Sequence, residues 1–270
     1  MAAVVLEGLS KTFGHGDGAL EVLTDINLVV AEGEFVSIVG PSGCGKTTLL
    51  EILAGLQGSD SGTVTVDGKV LKGPDRRIGV VFQEESTFPW RTVEENVEFG
   101  LAMRGDSPRD RRARVSAAIE LVGLEGFGDY YPYQLSGGMK QRVAIARTLV
   151  MEPSVIALDE PFGALDEQTR LRLGLELLNI VRKAGSTAIL ITHSIQEAAL
   201  LSDRVVVMTH RPGRIGSVIP SGMSSERSEH TLTTDAYSEV SRKAWGLLMD
   251  QNTSGSSSAT ESRDASVNSE

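Results

Sequence analysis

The sequence is short of several things, and each shortage excludes a class of protein. It has one cysteine, Cys44, in 270 residues, so it carries no disulfide framework and lacks the thiols of most structural zinc sites. A single thiol also fits a reducing compartment. No apolar run approaches the ~18 residues of a membrane-spanning helix. The N-terminus has no basic start and meets Glu7 early, unlike a secretory leader. Basic charge is in deficit: 26 Lys and Arg stand against 36 Asp and Glu, a net −10, which argues against broad nucleic-acid binding. What remains is a soluble cytoplasmic chain, 40% apolar, long enough for one large domain or two modest ones. If it serves a membrane, it does so through a partner.

Hydrophobic patterning orders the chain. Short apolar runs punctuated by glycine, such as Val4-Val5-Leu6 and Val22-Leu23, make residues 1–35 strand-rich. Val64-Thr65-Val66 before Asp67-Gly68 reads as a hairpin arm. From 84 to about 150 helical periodicity takes over, with helices predicted from Val93 to Met103, Arg109 to Val122 and Met139 to Met151. Strand patterns return at Val155–Asp159 and Ala188–Ile191, with a helix from Thr169 to Lys183 between them, and Val205–Met208 is expected to close the core. Strand and helix in alternation imply a parallel sheet with crossover helices. Past Ser221 the chain thins, with one helix expected from Ala236 to Met249. Thirteen of the last fifty residues are Ser, so 252–270 read as a disordered tail.

Three motifs carry chemistry. Gly40-Pro41-Ser42-Gly43-Cys44-Gly45-Lys46-Thr47, followed by Thr48, lies between a predicted strand and a predicted helix. Its glycines free backbone N–H groups to wrap phosphates, and the helix start aims its positive end at the same charge. Lys46 would reach the β- and γ-phosphates and the Thr47 hydroxyl would bind Mg²⁺. Within the loop Cys44 reads better as a small side chain in a tight turn than as a reactive thiol. The second motif is an apolar strand that delivers Asp159 and Glu160 at its carboxyl end, the edge where ligands bind in open α/β sheets. Asp159 would hold Mg²⁺ through water, and Glu160 could orient or deprotonate the attacking water. Third, Leu135-Ser136-Gly137-Gly138-Met139-Lys140-Gln141-Arg142 precedes a helix shortly before that acidic pair.

Taken in this order, the motifs resemble the ATP-binding cassette (ABC) family, the ATPase subunits of ABC transporters, over about residues 3–220. The resemblance implies an α/β P-loop NTPase core with an N-terminal antiparallel β subdomain and a helical insert at about 84–150. A short C-terminal helical extension would occupy 221–251. It implies ATP and Mg²⁺ as ligands. Residue by residue, Phe13 is similar to the aromatic that stacks on adenine, Gln83 to a glutamine that touches Mg²⁺ or water, and Ala164-Leu165-Asp166 to the loop that follows the acidic pair. His193 is similar to the histidine that contacts the γ-phosphate. Ser136, Gly137 and Gly138 would meet the γ-phosphate of an opposite subunit, so two copies, or a paired ABC subunit, would close head to tail on two ATP molecules. Met139 stands where the broad family often has Gln.

The segment from Gln83 to Val97, with Phe88, Pro89 and Trp90, would receive a membrane permease, with an extracytoplasmic solute-binding protein acting through it. This places the chain on the cytoplasmic face of the plasma (inner) membrane. The Pro89-Trp90 pair and Arg211-Pro212-Gly213-Arg214-Ile215 resemble the nitrate/sulfonate/taurine branch of importers. Two other readings stay open at this level: a non-transport cassette ATPase working on DNA or ribosomes, and a metabolite kinase using the same phosphate loop.

Overall fold

The computed structural model describes residues 2–83, 87–163 and 165–264. The predicted N-terminal strands form an antiparallel sheet. β1 (Ala2–Phe13) pairs with β2 (Leu20–Ala31) on one side and β4 (Ser61–Val66) on the other, and β5 (Lys69–Val70) completes the order β2-β1-β4-β5. The β4–β5 hairpin turns at Asp67 and Gly68, both at positive φ, which is what a tight two-residue hairpin requires.

The second sheet has the order β10-β9-β3-β8-β7-β6. It comprises β3 (Phe35–Val39), β6 (Ile78–Val81), β7 (Val155–Asp159), β8 (Thr187–Ile191), β9 (Arg204–Met208) and β10 (Ile215–Pro220). The first five run parallel and β10 is antiparallel to β9. Their near-continuous apolar sequences follow from burial on both faces. Val155 and Ala157 pack toward the antiparallel sheet and α1 (Lys46–Leu53), whereas Ile156 and Leu158 pack toward the helical insert.

That insert consists of α2 (Val93–Arg104), α3 (Pro108–Leu121) and α4 (Gly137–Leu149). Each helix starts on a side-chain cap: Thr92, Ser107 and Ser136 accept from backbone N–H groups of the first turn. α5 (Glu167–Ala184) crosses between β7 and β8. α6 (Ile195–Leu201) and α7 (Asp235–Asp264) pack beside β9 and β10 through Ala198, Val240 and Ala244.

The structure adds to the expected elements in three places. β9 does not close the sheet, because β10 adds an edge strand; its Gly216 and terminal Pro220 hide it from a propensity reading. α6 is short and almost wholly buried, so it shows no amphipathic period. α7 runs past the expected helix end at Met249, as far as Asp264; extending a formed helix avoids the cost of nucleating one.

Candidate active site

Five parallel strands end on one edge of the sheet. β3 runs into the loop 40–45, β6 into Gln83, β7 into Glu160, β8 into Thr192-His193 and β9 into the loop 209–214. Topology thus gathers residues up to 168 positions apart.

Gly45 caps α1 at φ 103, a conformation L side chains rarely adopt, and a Cβ there would lie 2.7 Å from Leu23 Cδ2. The loop can therefore close only with glycine at this position. A cavity of about 440 Å³ opens above it, lined by Ser42, Gly43, Gly45, Lys46, Thr47, Thr48, Glu160 and His193. The Lys46 ammonium, 9% exposed, turns back onto the loop and donates to the carbonyls of Gly40 (2.8 Å) and Pro41 (3.0 Å). An entering phosphate would replace those carbonyls with a charged acceptor, a stronger partner for an ammonium. Cys44 is buried and burial pushes its thiol up, which fits a packing residue.

Asp159 ends β7 largely buried. Burial pushes its carboxyl up, the charges of Glu160 and Glu51 push the same way, and Lys46 opposes them. Beyond it, Glu160 sits at φ 42 and its N–H donates to Ile191 O (2.9 Å). Its Oε2 lies 2.9 Å from His193 Nδ1. A Cβ on Gly163 would stand 3.3 Å from Gln83 Nε2 and 3.4 Å from Glu160 Oε2, so Gln83 shares this corner.

The donor chemistry fits a hard cation. The Thr47 hydroxyl, the Asp159 carboxylate and the Gln83 amide all offer oxygen. Among the described residues no three His, Cys, Asp or Glu side chains form a ready metal cluster. Magnesium would therefore complete its shell with phosphate and water oxygens, its usual habit.

Other expected residues stand apart from the cavity. Phe13 ends β1 half-exposed, with Lys11 Nζ 5.3 Å from its ring centroid. Ser136 caps α4 by accepting from Met139 N–H (3.3 Å), and Gly137 and Gly138 open that helix in the insert. Asp166 caps α5 and accepts from Thr169 N–H (3.0 Å); that bond holds its carboxyl low. Ala164 of the same loop lies outside the described residues, as do residues 84–86 of the expected docking segment. Within that segment Trp90 is 71% exposed. Phe88 meets Phe99 edge-on at 4.7 Å, and Arg91 lies over both rings.

Two lining residues escaped the sequence reading, Val22 and Arg211. Arg211 donates through Nε (3.0 Å) and a terminal nitrogen (2.7 Å) to Gly43 O. Its only sequence signal was the Arg-Pro-Gly triplet.

Comparison with known proteins agrees with this geometry. Residues 23–163 match the family model described as ABC transporter. The aliphatic sulfonates import ATP-binding protein SsuB of Bacillus cereus is 44% identical over 240 residues, 89% of this chain and 93% of that protein. The taurine import ATP-binding protein TauB of Sinorhizobium fredii is 49% identical over 211 residues, 78% of this chain and 79% of that protein. A dimeric ATP-binding cassette in a post-hydrolysis state, bound to ADP and Pi, superposes with a TM-score of 0.69 at 35% identity, over 80% of this chain and 98% of that one. The chain belongs to the ABC transporter family, among its ATP-binding, ATP-hydrolysing subunits.

Proposed function

We propose that the chain energises uptake of a taurine- or alkanesulfonate-type solute through a membrane permease, working as a head-to-tail pair of copies. The observation that carries the paired arrangement is a separation. Lys46, Glu160 and His193 line one cavity, while the Ser136–Gly138 helix start, a second anion-binding element, lies outside it. A second copy can bring its Ser136–Gly138 to the first copy's phosphates. Residues 3–220 then form the ATPase unit and 221–251 a C-terminal extension. No helix among the described residues is long and apolar enough to cross a membrane, which supports a peripheral subunit that docks through the surface around Trp90. A solute-binding protein would deliver cargo on the far side. The import names of the relatives favour this over a cassette that works on DNA or ribosomes.

In the proposed cycle Lys46 leaves its carbonyl partners for the β- and γ-phosphates. Phe13 offers its open face to adenine. Glu160 accepts a proton from water as the water oxygen attacks the γ-phosphorus and ADP leaves; His193, held on Glu160, orients the γ-phosphate. Thr47, Asp159 and Gln83 would hold a magnesium ion, which would supply neutralising charge to the phosphates.

The test is growth of the host with taurine or an alkanesulfonate as sole sulfur source. Disrupting the gene is expected to abolish that growth and leave growth on sulfate intact, with rescue by the wild-type gene and none by Lys46→Ala. Undiminished growth on every sulfonate tried counts against the solute assignment.

A further inference from the structure

Glu197 is the most conspicuous acid that the hydrolytic site leaves unused. It lies in α6, 2% exposed. Its Oε2 accepts from the Thr192 hydroxyl. Thr192 Oγ1 in turn accepts from Ser194 N–H (3.0 Å), and Ser194 Oγ accepts from Glu197 N–H (3.2 Å). These three bonds close a ring through the residues immediately before and after His193. In a simple capping box the glutamate would reach the N-cap N–H directly; here Thr192 is inserted between them. The imidazole takes no part in the ring and is left free to meet Glu160 at 2.9 Å.

The other oxygen, Oε1, is buried without a hydrogen-bond partner among the described residues. A helix cap alone would not call for an acid in this position. The charged groups that act on it come from three places: Arg170 on α5, His193 in its own loop and Glu160 at the end of β7. Arg170 is itself bonded to the carbonyls of Phe162 (3.3 Å), Gly163 (3.3 Å) and Leu165 (2.9 Å), the loop that leaves Glu160.

We propose that Glu197 is a positioning residue for hydrolysis: through Thr192 and Ser194 it fixes the backbone on both sides of His193, the residue that meets Glu160. The inference rests on the functional reading above, because it takes Glu160 and His193 as the hydrolytic pair.

The full-length chain tests it with Glu197→Ala, Glu197→Gln and Thr192→Val. Without nucleotide, NMR of the His193 ring and hydrogen exchange at the Ser194 and Glu197 amides are measured beside the thermal midpoint. With ATP, kcat and KM are measured. Glu197→Ala and Thr192→Val are expected to shift the His193 resonance, deprotect both amides and lower kcat ~10- to 100-fold, the cost of a small misplacement, with KM within about twofold. Glu197→Gln keeps an oxygen for Thr192 and is expected to recover most of the lost rate. If Glu197→Ala does not fold, Thr192→Val removes the same bond from the other end. An unmoved His193 resonance, or kcat and KM degrading together in step with lost stability, overturns the proposal. A wild-type chain that hydrolyses no ATP overturns the functional reading, while the nucleotide-free His193 signal still decides the positioning claim.

Discussion

Glu160 and His193, 33 residues apart, meet at 2.9 Å because β7 and β8 pair with Asp159 opposite Ile191. The residues that follow the paired positions leave the sheet side by side, and Glu160 N–H donates to Ile191 O. The contact is thus a consequence of sheet register. A slip of one residue would send alternate side chains to the wrong face.

Glu160→Gln keeps the shape and the hydrogen bond to His193 but cannot take a proton from water. Turnover is expected to fall ~10²- to 10⁴-fold, the span of a lost general base, with ATP still bound. Sedimentation of the variant with ATP and magnesium checks it: a persistent dimer is expected, and wild-type turnover would refute Glu160 as the base.

Trp90 and Asn96 separate docking from folding. Asn96 is fully buried; it accepts from Phe88 N–H (2.8 Å) and donates to the carbonyls of Phe88, Arg91 and Thr92. Asn96→Ala strands those groups and is expected to cost about 2–4 kcal/mol in urea unfolding. Trp90→Ala, on the exposed tip of the same loop, should cost about 0.5 kcal/mol or less yet impair sulfonate-dependent growth. Normal growth with Trp90→Ala would remove this loop from the permease interface.

Gly213 ties the loop after β9 to the phosphate loop. Its N–H donates to Val22 O (2.8 Å), and a Cβ on it would fall 2.1 Å from Cys44 O. Since that neighbour is backbone, Gly213→Ala must displace the phosphate loop. About 1–3 kcal/mol of destabilisation is expected, with ATP affinity at least ~10-fold weaker by calorimetry, which corresponds to about 1.4 kcal/mol. Gly58→Ala is the control, with no atom within 4 Å of its would-be Cβ.

These cases mark what the sequence could convey. The phosphate loop was legible because its chemistry sits in consecutive residues between a strand and a helix, and Asp159-Glu160 because a strand points at them. Arg211 was not, since its partner is a carbonyl 168 residues away and a main-chain acceptor leaves no mark in sequence. Glu197 was hidden for a related reason: an acid in a short helix reads as surface, and only the fold of β8 onto α6 shows it buried. The edge strand β10 was missed because glycine and proline at an edge cost little, so local propensity misreports it.

Burial dominates the Glu197 carboxyl and pushes it from an ordinary 4.5 to about 7, against the Thr192 hydrogen bond and the charges of Arg170 and His193, with Glu160 adding to the rise. Between those two values the folded chain holds a proton that the unfolded chain has released. The stability this contributes is fully present below about 4.5 and is lost as pH rises through about 7. The span corresponds to roughly 3 kcal/mol at 1.36 kcal/mol per pH unit. Glu197→Gln cannot titrate, while His193, Glu160 and Arg170 remain in both proteins, so subtracting the two profiles isolates this one group. Urea unfolding at pH 5, 6, 7 and 8 should show the variant gaining on the wild type with each step up to about pH 7 and levelling off above it. Parallel profiles across that range would mean that the carboxyl titrates as an ordinary surface acid and that water reaches the ring beneath His193.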